Sequence, residues 1–125
     1  IEGTPIMWAG PVSNWIAACD RIIALDADVI VPGHGPITDN HGVRRVQDYL
    51  HYINGEARKR YDAGMPLEEA VMDIALGDFS NWGDAERIAV NTSTLYREYS
   101  GKLDEPANVV GLFGLMGMVK KARLS

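Results

Sequence analysis

Trp15, Ala18, Cys19, Ile22 and Leu25 recur at steps of three and four residues, a spacing that predicts an amphipathic helix from about Asn14 to Leu25. Ser13 stands just before it, and its hydroxyl can accept an orphan backbone N–H as an N-cap. Upstream, residues 4–14 are rich in turn formers and read as a loop that carries two large apolar residues, Met7 and Trp8. After a turn at Asp26-Ala27, the β-branched run Val29-Ile30-Val31 predicts a short buried strand. Pro32 ends it, since proline has no ladder N–H to donate. A second stripe, Val43, Val46, Leu50, Ile53, Ala57 and Tyr61, predicts a helix from about Asn40 to Ala63, capped by Thr38 or Asp39 and closed by Gly64.

Pro66 suits the first turn of a further helix, expected to stop at Gly77, with Glu68 and Glu69 at its positive end. Asp84 is expected to cap another, with Ile88, Thr92, Leu95 and Tyr99 on one face and Gly101 beyond it. The segment Val109 to Ala122 predicts a last helix in spite of Gly111, Gly114 and Gly117, each of which weakens a helix by about 1 kcal/mol relative to alanine. Their three-residue spacing gives a smooth ridge fit for close packing. The inventory is four or five helices and one or two short strands. An isolated strand pair is marginal, so a buried Val29–Val31 strand implies sheet neighbours outside this chain. Ile1 is not an initiator Met, and Ile1-Glu2-Gly3 reads like a strand entering a turn. Both features lead us to expect that the chain begins within a larger fold.

Composition adds exclusions. The chain has 125 residues, 46% of them hydrophobic and 23% charged, which fits a globular domain and not a disordered tail. Twelve basic and seventeen acidic residues give a net charge of -5, with no basic stripe for a nucleic-acid backbone. The single cysteine, Cys19, cannot form an internal disulfide or a cysteine-only zinc site, and a reducing, cytoplasmic compartment is expected. Cys19 falls on an apolar helix face and reads as packing rather than as a nucleophile. The apolar run Val109 to Val119 falls short of the ~20 residues that span a bilayer. Only Lys120, Lys121 and Arg123 flank it, which makes membrane-surface attachment a weak reading.

The residues that can carry chemistry are few. His34 sits in Pro32-Gly33-His34-Gly35-Pro36, where the prolines stiffen the loop and the glycines let another group approach. A neutral imidazole presented in this way suits zinc or iron. The plainer reading is a tight turn carrying a surface histidine. A metal site takes three or four protein ligands, and no His-x-His, His-Glu-x-x-His or Cys-x-x-Cys pair occurs. His41 and His51 lie on the second predicted helix about 15 Å apart along its axis, too far to share an ion, and read as solvent-facing. Asp26, Asp28 and Asp39 flank the loop; they can orient the imidazole, or simply make a turn and a cap. Arg58, Lys59 and Arg60 close a helix whose dipole they complement. No Gly-x-Ser-x-Gly, Walker loop or Gly-x-Gly-x-x-Gly is present.

From Gly10 to Leu50 the order is helix (ending Ile22-Ile23-Ala24-Leu25), strand Asp28-Val29-Ile30-Val31, loop Pro32-Gly33-His34-Gly35-Pro36 and a helix opening near Thr38-Asp39. This resembles the C-terminal half of the metallo-β-lactamase superfamily. In that family a strand delivers the last metal-ligand histidine in a Pro-Gly-His-Gly loop. Residues 1–9 resemble the segment after the family's bridging aspartate, and residues 64–103 more loosely resemble helical tails of hydrolase-like members.

The resemblance implies an α/β fold, the C-terminal part of an αββα sandwich, with residues 1–63 in the metallo-β-lactamase-like domain and 64–125 a helical extension packed on it. It implies a one- or two-metal hydrolytic centre, zinc by default with iron or manganese as alternatives. There a metal-bound hydroxide attacks an ester, thioester, lactam or lactone of a small-molecule substrate. Carried over residue by residue, only His34 maps onto a metal ligand. The family's His-x-His-x-Asp-His motif, its next histidine and its bridging aspartate have no counterpart here. The chain alone is therefore expected to bind no metal and to be inactive. Trp8 and Asn14, with Met7 and Ser13, either border the parent's substrate cleft or form a structural turn. A competing reading is a non-enzymatic helical interaction or dimerisation module. Both readings lead to an expected homo-oligomer, since apolar surface left without its cover associates.

Overall fold

A computed structural model describes residues 4–25 and 40–124. Five helices build it: α1 (Val12–Ala24), α2 (Asn40–Asp62), α3 (Leu67–Asp73), α4 (Ile88–Tyr99) and α5 (Val109–Leu124). Short 3₁₀ turns at Gly77–Asn81 and Ala85–Arg87 lead from α3 into α4.

The expected α/β sandwich portion is corrected here: the described residues contain no β-strand and form an all-α unit. The stretch read as strand, Val29 to Val31, lies outside the described residues, as do His34, Asp26, Asp28 and Asp39. Ile1-Glu2-Gly3, read as a strand entering a turn, also lies outside the described residues, while Thr4 to Pro11, expected to be loop, forms a non-helical strap. Apart from the Thr4 N–H bond to the Gly83 carbonyl at 2.8 Å, the strap is held largely by side chains of α4 rather than by a sheet ladder.

Helix α4 is the centre. Every residue from Ile88 to Leu95 is buried, which is the signature of a helix enclosed on all sides. Around it, α2 contributes Tyr49, Leu50, Ile53 and Ala57, all fully buried, and α3 contributes Ala70 and Val71. One core runs from Met7 and Val12 through Leu95 to Val119, so it joins both halves of the chain. Each fully buried Leu or Ile stabilises by roughly 1.5–3 kcal/mol. Beside it Tyr49, Phe79 and Trp82 form an aromatic nest, with Trp82 stacked on Tyr49 at 5.7 Å and set edge-on to Phe79 at 4.8 Å.

Helix ends follow local chemistry, though not always the residues expected. Gly64, at φ +79°, and Gly101, at φ +74°, end α2 and α4 in the left-handed conformation. The next N–H in each case reaches back to a helix carbonyl, Met65 to Arg60 at 2.9 Å and Lys102 to Arg97 at 2.7 Å. Asn108 caps α5, its Oδ1 accepting the Gly111 N–H at 3.1 Å.

Two expected caps are corrected. Ser13 lies inside α1 and Pro11 precedes the helix; the Val12 N–H is instead satisfied across the fold by the Glu98 carboxylate at 2.7 Å. Asp84 makes no capping bond; it sits at φ +59° and pairs with Arg87 at 3.3 Å, while α4 begins later at Ile88. The basic run closing α2 is paired rather than only facing the dipole. Arg60 reaches Asp73 on α3 at 2.9 Å, and its guanidinium also donates to the Glu56 carbonyl at 2.8 Å.

Candidate functional site

Helices α1 and α2 flank the segment that carries His34. Helix α1 ends at Ala24 and α2 starts at Asn40, and Gln47 ties the two together. Its amide nitrogen donates to the Ile16 carbonyl at 3.0 Å and to the Asp20 carboxylate at 2.8 Å. Val12 and Cys19 of α1 and Val43, Leu50 and Ile53 of α2 turn into the core. The helices on either side of the 26–39 segment in the sequence thus pack on each other and on the core. His41 and His51 are exposed on α2.

The strap is the other organised feature. Three polar side chains spaced three apart on α4 hold its backbone. Asn91 donates to the Pro5 carbonyl at 2.9 Å and accepts the Met7 N–H at 2.6 Å. Thr94 donates to the Met7 carbonyl at 2.5 Å, and Arg97 to the Trp8 carbonyl at 3.0 Å. Met7 is fully buried and so belongs to the core, not to a cleft. Trp8 is half-buried, its ring edge-on to Phe113 of α5 at 6.0 Å. Asn14 is exposed in the first turn of α1, as is Ser13. The strap leaves α4 close to the 102–108 loop: a Cβ on Gly10 would stand 3.2 Å from Leu103, tight enough to favour glycine.

Sequence spacing gave Ile88, Thr92, Leu95 and Tyr99 as the inward stripe of α4 and so passed over Asn91, Thr94 and Arg97. A signal was present. The run Asn91-Thr92-Ser93-Thr94 has poor helix propensity in the middle of a helix, and Asn91 and Thr94 spend their side chains on the distant strap.

Chemistry among the described residues is sparse. No group of three or more His, Cys, Asp or Glu side chains there can hold a metal ion, so these residues do not by themselves fit a zinc, iron or manganese centre. Cys19 is buried, and burial, with Asp20 adding to it, pushes its thiol above the ordinary range; a neutral thiol is a poor nucleophile. An open cavity of about 320 Å³ lies between α3 and α5, lined chiefly by apolar residues such as Val71, Ile74 and Val119. Its one charged residue, Asp73, already pairs with Arg60. No described helix is long and apolar enough to cross a membrane.

The Tyr99 hydroxyl donates to the carbonyl and side-chain oxygens of Asn54 at 3.0 and 2.5 Å. Burial raises its pKa well above the ordinary tyrosine value, and Glu98 adds to the rise. The Arg58 guanidinium, 4.8 Å from the ring centre, offsets part of it. The unfolded chain ionises this phenol near pH 10, whereas the folded chain keeps it protonated to higher pH. Stability from Tyr99 is therefore fully present below about pH 10 and falls as pH rises beyond it. Urea unfolding between about pH 8 and 11.5 is expected to show that decline, and Tyr99→Phe to flatten it. Parallel slopes in the two chains would assign the decline to other groups.

The chain matches no protein-family model, and neither a curated protein nor a solved structure is significantly similar to it.

Proposed function

We propose that the chain is the helical part of a metal-dependent hydrolase of the kind its His34 loop resembles, the metallo-β-lactamase superfamily. His34 is its one contribution to the metal centre. The carrying observation is Pro32-Gly33-His34-Gly35-Pro36 placed between two helices that Gln47 ties together. This reading concerns the chemistry of the loop; the described residues of the chain are helical and are not a sandwich. A single imidazole cannot hold an ion, so the remaining ligands come from outside these residues and the chain alone is inactive. Zinc is the default ion, with iron or manganese alternatives decided by those other ligands. The substrate class is a small ester, thioester, lactam or lactone, and the lone cysteine fits a reducing, cytoplasmic setting.

The test is plasma mass spectrometry, with no metal added, on the chain and on a longer protein that carries the segment N-terminal to it. The longer protein is expected to hold about one or two ions per molecule and to hydrolyse such substrates, and the chain to hold close to none. A longer protein free of metal and without hydrolytic activity would overturn the reading. A second reading, a helical interaction module, is favoured by one observation: α5 leaves Val110 and Phe113 in solvent at 83% and 58% exposure.

A further inference from the structure

Helix α5 is apolar on both sides. Leu112, Leu115, Met116 and Val119 pack into the chain's own core. Val110, Phe113 and Met118 face solvent, with Gly114 and Gly117 between them, and a Cβ on either glycine would meet nothing within 4 Å. These five positions fall at successive steps of three, one, three and one, so they form one seam along the outer face, as in helices that pair along their length. The three glycines were expected to make a ridge for packing. Gly111 is spent on the Asn108 cap, since a Cβ there would stand 2.5 Å from the Asn108 side chain, and the other two are left open on the outside.

We propose that this seam pairs antiparallel with the same seam of a second copy of the chain. Charge decides the occupant and the direction. Exposed Asp104 and Glu105 precede the helix, and exposed Lys120 and Lys121 close it. Antiparallel pairing sets the acidic end of each copy against the basic end of the other, and it also opposes the two helix dipoles. A parallel pair would set lysine against lysine. A two-fold axis between Leu115 and Met116 brings Gly114 opposite Gly117 and Phe113 opposite Met118, a self-complementary contact of the kind closed dimers use. An anionic lipid surface suits the seam less well, because it would repel the acidic end and a chain of net charge -5. One helix seam is smaller than the ~800 Å² per partner of a standard stable interface, so the dimer dissociates in the micromolar range.

This inference does not rest on the metal reading, and its test needs no metal. Sedimentation equilibrium of the chain over about 1–200 µM at low salt is expected to show a monomer–dimer equilibrium. The variant K120E/K121E and the variant D104K/E105K are each expected to weaken self-association by about tenfold or more, because attraction becomes repulsion at both symmetric ends. An equimolar mixture of the two variants restores opposite charges at both ends and is expected to recover association to within about threefold of the original chain. Raising salt from about 50 to 500 mM weakens the unmodified dimer several-fold and needs no variant. A monomer at every concentration, a dimer indifferent to both charge swaps and salt, or a mixture that fails to associate would overturn the proposal. So would a solution monomer that cosediments with anionic vesicles, which would assign the seam to a membrane surface.

Discussion

Asn91→Ala is expected to destabilise the chain by about 3 kcal/mol or more, because three hydrogen bonds end on one fully buried side chain and each buried group left unsatisfied costs roughly 1–3 kcal/mol. The amide nitrogen serves the Pro5 carbonyl and the Tyr49 hydroxyl, both at 2.9 Å, and the amide oxygen takes the Met7 N–H at 2.6 Å. Truncation strands the Met7 N–H and the Pro5 carbonyl against apolar neighbours, and the strap loses its link to α2 through Tyr49. Thr94 and Arg97 still hold the Met7 and Trp8 carbonyls, and Gly83 and Arg87 still hold Thr4, so the strap loosens in its middle, from Pro5 to Met7. Urea unfolding followed by circular dichroism measures the loss, and proteolysis near Met7 is expected to quicken at the same time. A loss under about 1 kcal/mol would mean that water replaces the amide at this site.

The same residue shows where sequence reading stops. Periodicity found α2 because it buries one face, the stripe from Val43 to Tyr61, and found α1 from the Trp15 to Leu25 stripe, although Ile22 and Leu25 end up exposed. It placed Gly64 and Gly101 at helix ends because only a left-handed position selects glycine there. It did not find the caps that come from far along the chain. Glu98 serves Val12, 86 residues away, and Asn91 serves Met7, 84 residues away; no local pattern carries such a pairing. For α4 the stripe rule failed for a physical reason. A helix wrapped on every side has no polar face to contrast with its apolar one, so its inward residues include Asn91 and Thr94.

The sheet expectation failed differently. It came from the family resemblance, from β-branched residues at Val29 to Val31 and from Ile1-Glu2-Gly3, and both of those stretches lie outside the described residues. Thr4 to Pro11, read as a loop, runs along α4 and gives its Met7 and Trp8 backbone groups to side chains. The candidate site was legible only as residue types. The sequence singled out His34, Trp8 and Asn14. The structure places Trp8 against Phe113 and Asn14 on the exposed first turn of α1, and it brings no metal-ligating cluster together among the described residues.

On the proposed hydrolase reading, His34→Ala in the longer protein is expected to lower metal affinity by more than about a hundredfold, with hydrolysis falling in step. Loss of a mere outer-shell partner of a ligand already costs ~10–100-fold, and loss of the ligand itself removes a bond to the ion. The two losses must travel together. If metal content fell while activity held, His34 would serve an ion that chemistry does not need; if activity fell with metal retained, it would act on substrate instead. His41→Ala and His51→Ala are the controls, since both side chains are exposed on α2, and neither is expected to change metal content. Nonspecific uptake by exposed histidines would instead lower metal content in the His41→Ala and His51→Ala chains. Full activity and full metal content after His34→Ala would leave Pro32 to Pro36 as a turn and return the chain to the reading of a helical interaction module.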